Sequence, residues 1–90
     1  MQTTIISNTT FDGTTLNFDP SDWKGMFKLM ERADEFTEPA IGKNLHQEKV
    51  MISVNHDNIT VETFQWNGWV RQTVYWDDGT VEELFNGRWI

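Results

Sequence analysis

The stretch Ile59-Thr60-Val61-Glu62-Thr63-Phe64-Gln65-Trp66-Asn67-Gly68-Trp69-Val70-Arg71-Gln72-Thr73-Val74-Tyr75-Trp76 decides the fold. Both halves are rich in β-branched and aromatic residues. Asn67-Gly68 between them is a strong two-residue hairpin signal, because Asn and Gly accept positive φ. The halves read as antiparallel strands, Ile59 to Trp66 and Trp69 to Trp76. A two-residue loop then sorts the side chains onto two faces. One face carries Ile59, Val61, Val70, Val74 and Trp76. The other carries Phe64, Trp66, Trp69 and Tyr75, interleaved with Glu62 and Arg71.

Toward the C-terminus, Asp77-Asp78-Gly79 turns the chain into a strand from Thr80 to Phe85, and Asn86-Gly87 leads into a short last strand, Arg88-Trp89-Ile90. Trp66-Asn67-Gly68-Trp69 and Phe85-Asn86-Gly87-Arg88-Trp89 echo one another too briefly for a repeat and read as two similar hairpin turns. Toward the N-terminus, Lys49 to Asn55 sets Val50, Ile52 and Val54 on one face in strict alternation, and His56-Asp57-Asn58 supplies a turn. Ala40 to Glu48 reads as a connector hinged at Gly42.

Before that connector the period changes. Phe18-Asp19-Pro20-Ser21-Asp22-Trp23 combines an N-cap at Asp19, proline at the first helical position, a further acid at Asp22 and a Phe18–Trp23 hydrophobic staple. Trp23, Met26, Phe27, Met30 and Ala33 recur at three- and four-residue steps, flanked by Leu29 and Phe36, and predict a core-facing stripe on a helix within Pro20 to Phe36. Asp34 projects near that stripe and is read as lying past the edge of the contact. Thr37-Glu38-Pro39 ends the helix. Thr3 to Asn8 and Thr14 to Phe18 form an opening hairpin that turns near Asp12-Gly13. The order read is ββαβββββ, an α+β fold with one helix packed on an antiparallel β-meander, in one small acidic domain spanning residues 1–90.

At 90 residues the chain has material for one core, which five Trp, six Phe and one Tyr make strongly aromatic. Without cysteine there is no disulfide framework and no thiolate metal site, and the expected location is the cytoplasm. The opening Met1-Gln2-Thr3-Thr4-Ile5-Ile6 has no basic region or long apolar run, so neither a signal peptide nor a membrane partner is expected. Asn8-Thr9-Thr10 and Asn58-Ile59-Thr60 match the glycosylation pattern by chance on this reading. Fourteen acids against seven bases give a formal net charge of −7, which repels nucleic acid and anionic membrane surfaces.

Catalytic chemistry finds few groups. His46 and His56 stand ten residues apart, and Asp57, Asp77 and Asp78 fall in turns, with no ligand spacing that resembles a metal loop or finger. There is no Gly-Xaa-Ser-Xaa-Gly elbow and no phosphate-cradling glycine loop. Glu82, Glu83 and Glu62 are available for glycoside chemistry, but Glu82 and Glu83 are adjacent on a strand and point to opposite faces, so they cannot flank one bond, and a shallow sheet of this size offers little room for a water-excluding cleft. The chain reads as a non-enzyme without cofactor or metal.

What stands out is a surplus of aromatics beside an acidic balance. The face bearing Phe64, Trp66, Trp69 and Tyr75 is either covered by the opening hairpin and the tail around Trp89, or exposed as a binding patch. The expected function is a protein–protein interaction module that occupies a basic surface of a larger partner, such as the phosphate-binding groove of a nucleic-acid enzyme, as an inhibitor would. Small acidic domains without cysteine are frequent among phage and mobile-element proteins that block host defence enzymes, an analogy of class only. The expected contact residues are Trp66, Trp69 and Arg71 with Asp77, Asp78, Glu82 and Glu83. Two other readings stand beside it. One is a stacking platform for a sugar or similar ligand on Phe64, Trp66, Trp69 and Tyr75; the other is a structural subunit of a larger assembly, which self-association through the same face would favour.

Overall fold

A computed structural model describes residues 6–11, 14–18, 21–36, 38–44 and 46–88, and the side chains of 21–36, 38–44 and 46–85. Strands β1 (Ile6–Phe11) and β2 (Thr14–Phe18) precede helix α1 (Trp23–Glu31) and a short 3₁₀ turn (Ala33–Glu35). Strands β3 (Ala40–Asn44), β4 (Lys49–Val54), β5 (Asn58–Phe64), β6 (Trp69–Trp76) and β7 (Val81–Arg88) follow. All seven join one sheet in the order β2-β1-β3-β4-β5-β6-β7, every pair antiparallel. The fold is therefore α+β, and its five C-terminal strands form a meander.

Five strands follow the helix, but at both ends of the meander they are not the strands expected. Ala40 to Asn44, read as connector, is β3, paired with β1 on one side and β4 on the other. Its Ala-Ile-Gly-Lys-Asn sequence has little β propensity of its own, and the strand is made by its neighbours. At the other end, Asn86-Gly87 is not a turn. β7 runs through it to Arg88, and the register with β6 shifts between the pairs Trp69↔Arg88 and Arg71↔Phe85. That shift is a bulge on an edge strand, where bulges concentrate.

The largest correction concerns the central hairpin. Gln65 N–H donates to Trp69 O at 2.9 Å, Gly68 N–H donates to Gln65 O at 3.0 Å, and Phe64 faces Val70. The loop is therefore three residues, Trp66-Asn67-Gly68, with Gly68 at φ 89° in the left-handed position such loops require. One extra loop residue turns all of β6 over relative to the expected pairing. Ile59 and Val61 now share a face with Tyr75 and Thr73, while Phe64 shares the other with Val70, Val74 and Trp76.

The helix lies on the first of these faces. Met26 and Met30 are buried with Ala40, Val50, Ile52, Ile59, Val61 and Tyr75, while Trp23, Leu29, Phe36 and Val54 pack around them half-buried. Burying each such side chain is worth about 1.5–3 kcal/mol. Phe27, expected in the stripe, is exposed. Tyr75 meets the Trp23 ring edge-on with centroids 6.4 Å apart, and burial pushes its phenol up to about 12, with Glu83 adding to the rise.

Nine residues make α1, fewer than the stripe suggested, and its N-cap is Asp22, not Asp19. The Asp22 carboxylate accepts from Gly25 N–H at 3.1 Å. Asp19, Pro20 and the Asp12-Gly13 turn lie outside the described residues, as does Trp89. Beyond the helix, Asp34 is exposed and meets His56 Nε2 at 2.9 Å. The N-terminal hairpin joins the sheet beside β3, with β2 at the outer end of the strand order.

Candidate functional site

Two hairpins bracket β6 and carry the seven residues expected to make contact. The Trp66-Asn67-Gly68 loop joins β5 to β6, and Asp77-Asp78-Gly79 joins β6 to β7. The eight residues of β6 separate them by about 25 Å at the usual strand rise, so the tryptophans and the turn acids occupy opposite ends of the sheet. They do not form one patch. The element that runs from one end to the other is β7.

At the aromatic end, Trp66 is 74% exposed yet held at two points. Its indole Nε1–H donates to His46 O at 3.1 Å, and its backbone N–H donates to Glu48 Oε2 at 3.3 Å. Glu48 is itself set by buried Asn44, whose Nδ2 donates to Glu48 Oε1 at 2.9 Å and whose Oδ1 accepts from the N–H groups of His46 and Glu48. The β3–β4 loop thus braces the β5–β6 loop. Close by, Gln65, Asn67, Trp69 and Phe85 line a shallow depression, with Trp69 39% and Phe85 60% exposed.

Arg71 connects this end to β7. It faces Phe85 across the strands, its guanidinium lies 5.4 Å from the centre of that ring, and its Nη2 is 3.6 Å from Glu83 Oε2. Only 18% of the Arg71 side chain is exposed, so it orients Phe85 and Glu83 more than it offers a free cation.

The four expected acids divide. Asp77 and Asp78 are exposed at the hairpin tip, where Asp78 Oδ1 accepts from Thr80 N–H at 2.8 Å. Hydrogen bonds from the Thr80 hydroxyl and backbone hold the Asp78 carboxyl below the usual range. Glu83 shares the helix-side face with Arg71 and Tyr75. Glu82 faces the other way and accepts from Trp76 Nε1–H at 2.7 Å.

The four-ring stacking platform is not formed. Tyr75 is in the core, and Phe64 is on the opposite face with Lys49 Nζ 5.4 Å from its ring centre. On the face opposite the helix, Val70 and Val74 are buried, with Phe64 beside Val70 and Thr60 and Glu82 beside Val74. Sequence reasoning missed Phe85, Val81 and Leu84 as exposed apolar groups of β7, and His46 and Glu48 as supports of Trp66. The alternation Val81-Glu83-Phe85 carried the signal for the first set once Gly79 ended the turn. Nothing local marked the second.

Among the described residues no group of three or more His, Cys, Asp or Glu is placed to hold a metal ion, and no helix is long and apolar enough to cross a membrane. Comparison with protein-family models, curated proteins and solved structures finds no match.

Proposed function

We propose that the chain is a protein–protein interaction module that uses the β6–β7 ribbon to occupy a basic surface of a larger partner, inhibiting that partner where the surface is its own binding groove. The observation that carries this is Trp66, three-quarters in water and yet held from a neighbouring hairpin, its ring by the His46 carbonyl and its backbone by the Glu48 carboxylate. A large exposed aromatic that is already ordered loses little entropy on contact, which suits a binding anchor. Trp69 and Phe85 extend it on the helix-side face. Four carboxylates against two guanidiniums, Arg71 and Arg88, along the ribbon give it the sign that attracts a basic surface. The chain acts as a single domain without cofactor or catalysis, and its lack of cysteine suits a reducing cytoplasm.

The test is capture of a partner from native lysate by the full chain, followed by measurement of both rate constants. Trp66→Ala and Trp69→Ala should raise the off-rate while the chain stays folded. Converting Asp77, Asp78, Glu82 and Glu83 to amides should lower the on-rate, and added salt should do the same. Salt-independent association, or tryptophan variants that bind as the parent does, would refute the reading.

A further inference from the structure

We infer that the outer edge of β7 takes an extended, cationic segment of the partner as an added strand, an inference that rests on the interaction reading above. β7 ends the sheet order and, among the described residues, pairs with β6 alone. Trp76 N–H donates to Thr80 O at 2.9 Å, which makes Trp76↔Thr80 a hydrogen-bonded pair. In an antiparallel ladder bonded and non-bonded pairs alternate, so Val74↔Glu82 and Gln72↔Leu84 are bonded next. Val81, Glu83 and Phe85 therefore direct their N–H and C=O groups away from β6, along the free edge.

Edge strands are usually guarded by charged side chains, most often lysine, by proline or by a bulge. Acidic guards such as Glu82 and Glu83 turn away every strand but a cationic one. The segment Val81-Glu82-Glu83-Leu84-Phe85 has neither lysine nor proline, and the bulge lies beyond it toward Arg88. It is an edge open to pairing. A second copy is a poor occupant, because each chain carries a formal net charge of −7 and registers about Glu82 or Glu83 also set like charges directly opposite. Charge complementarity instead selects a cationic strand. Along the outward-pairing positions the order is apolar, acidic, apolar at Val81, Glu83 and Phe85, with Glu82 and Leu84 on the other face and Asp77 and Asp78 in the turn before them. The complement is a strand with Lys or Arg opposite Glu83 and apolar residues on either side. Main-chain bonds would hold it and the alternate side chains would select it.

The probe is a short, end-capped peptide alternating lysine and valine, added to the full chain and read by backbone amide hydrogen exchange. Exchange at Val81, Glu83 and Phe85 should slow by about tenfold or more at saturation, while Glu82 and Leu84, already bonded to β6, change little. A peptide with the pairing-edge amides N-methylated should lose the effect. Glu83→Pro removes the central outward donor without touching the β6 ladder and should abolish protection, whereas Glu83→Gln should weaken affinity and keep protection at saturation. Three results would overturn the inference: binding that leaves those amides fast, equal protection by a glutamate–valine peptide, or protection that grows with chain concentration and no peptide. Partner capture that depends on Trp66 with the three amides unchanged would remove this inference and leave the interaction reading standing. Capture indifferent to Trp66, with the amides protected, would sustain this inference and remove Trp66 as the anchor.

Discussion

The hairpins at the two ends of β6 share a backbone and differ in everything else. Each is a three-residue loop that ends in a glycine at positive φ, 89° at Gly68 and 90° at Gly79. One loop carries Trp66 and the other Asp77 and Asp78. The aromatic loop is braced from outside by His46 and Glu48, while the acidic loop closes on itself through Asp78 and Thr80. Loop geometry places a side chain, and the neighbouring hairpin decides whether it is held. A contact anchor needs the brace, whereas a steering charge works without one because its field does not depend on a fixed rotamer.

The largest expected effect sharpens the comparison from the core side. Tyr75 lies just before the acidic hairpin, and its phenol is raised from 10.0 to about 12 in the folded chain. The unfolded chain therefore loses this proton first as pH rises. The stabilisation is complete below about pH 10 and declines by about 2–3 kcal/mol as pH climbs to about 12. Chemical denaturation across that range should show the decline, and Tyr75→Phe should flatten that part of it. A variant with the parent's slope would mean that Tyr75 is not the group responsible.

Glycine replacement tests the shared backbone. Gly68→Ala and Gly79→Ala should each cost about 1–2 kcal/mol, since a side chain in the left-handed region is strained. Nothing lies within 4 Å of a Cβ built at Gly79, so strain alone sets the cost there. A much larger loss at Gly68 in melting experiments would show that the aromatic loop is also coupled to its brace.

The brace itself is a smaller quantity. Trp66→Phe removes the indole donor to His46 and should cost about 0.5–1.5 kcal/mol of stability, the usual net value of one hydrogen bond. Smallest of all, Asp77→Asn should shift stability by no more than about 0.5 kcal/mol, as expected for an exposed turn residue. If thermal melts reversed that order, the loops would have exchanged the roles assigned to them.

Much of this arrangement could be read from the residues. The helix stripe placed Met26 and Met30, and the alternation of Val50 with Ile52 and of Ile59 with Val61 placed their partners in the core. The faces of β6 were misassigned for a definite reason: Asn-Gly fits a two-residue loop, but glycine also closes a three-residue one. The pattern Asp77-Asp78-Gly79 was the better guide, since Trp66-Asn67-Gly68 has the same length and the same terminal glycine. β3 was illegible because Ala, Gly and Asn acquire strand character only between β1 and β4. The support of Trp66 by His46 and Glu48 joins residues 20 and 18 positions apart, and no local pattern encodes such a contact.

For anyone engineering this chain, the helix cap removes the most obvious improvement. Gly25 sits inside α1, where alanine would ordinarily gain about 1 kcal/mol of helix propensity. A Cβ there would stand 2.6 Å from Asp22 Oδ2 and push the capping carboxylate off the Gly25 N–H. Loss of such a cap costs about 1 kcal/mol. The two effects cancel to a first approximation, so the residue that looks like a flaw in the helix is the seat of its first hydrogen bond.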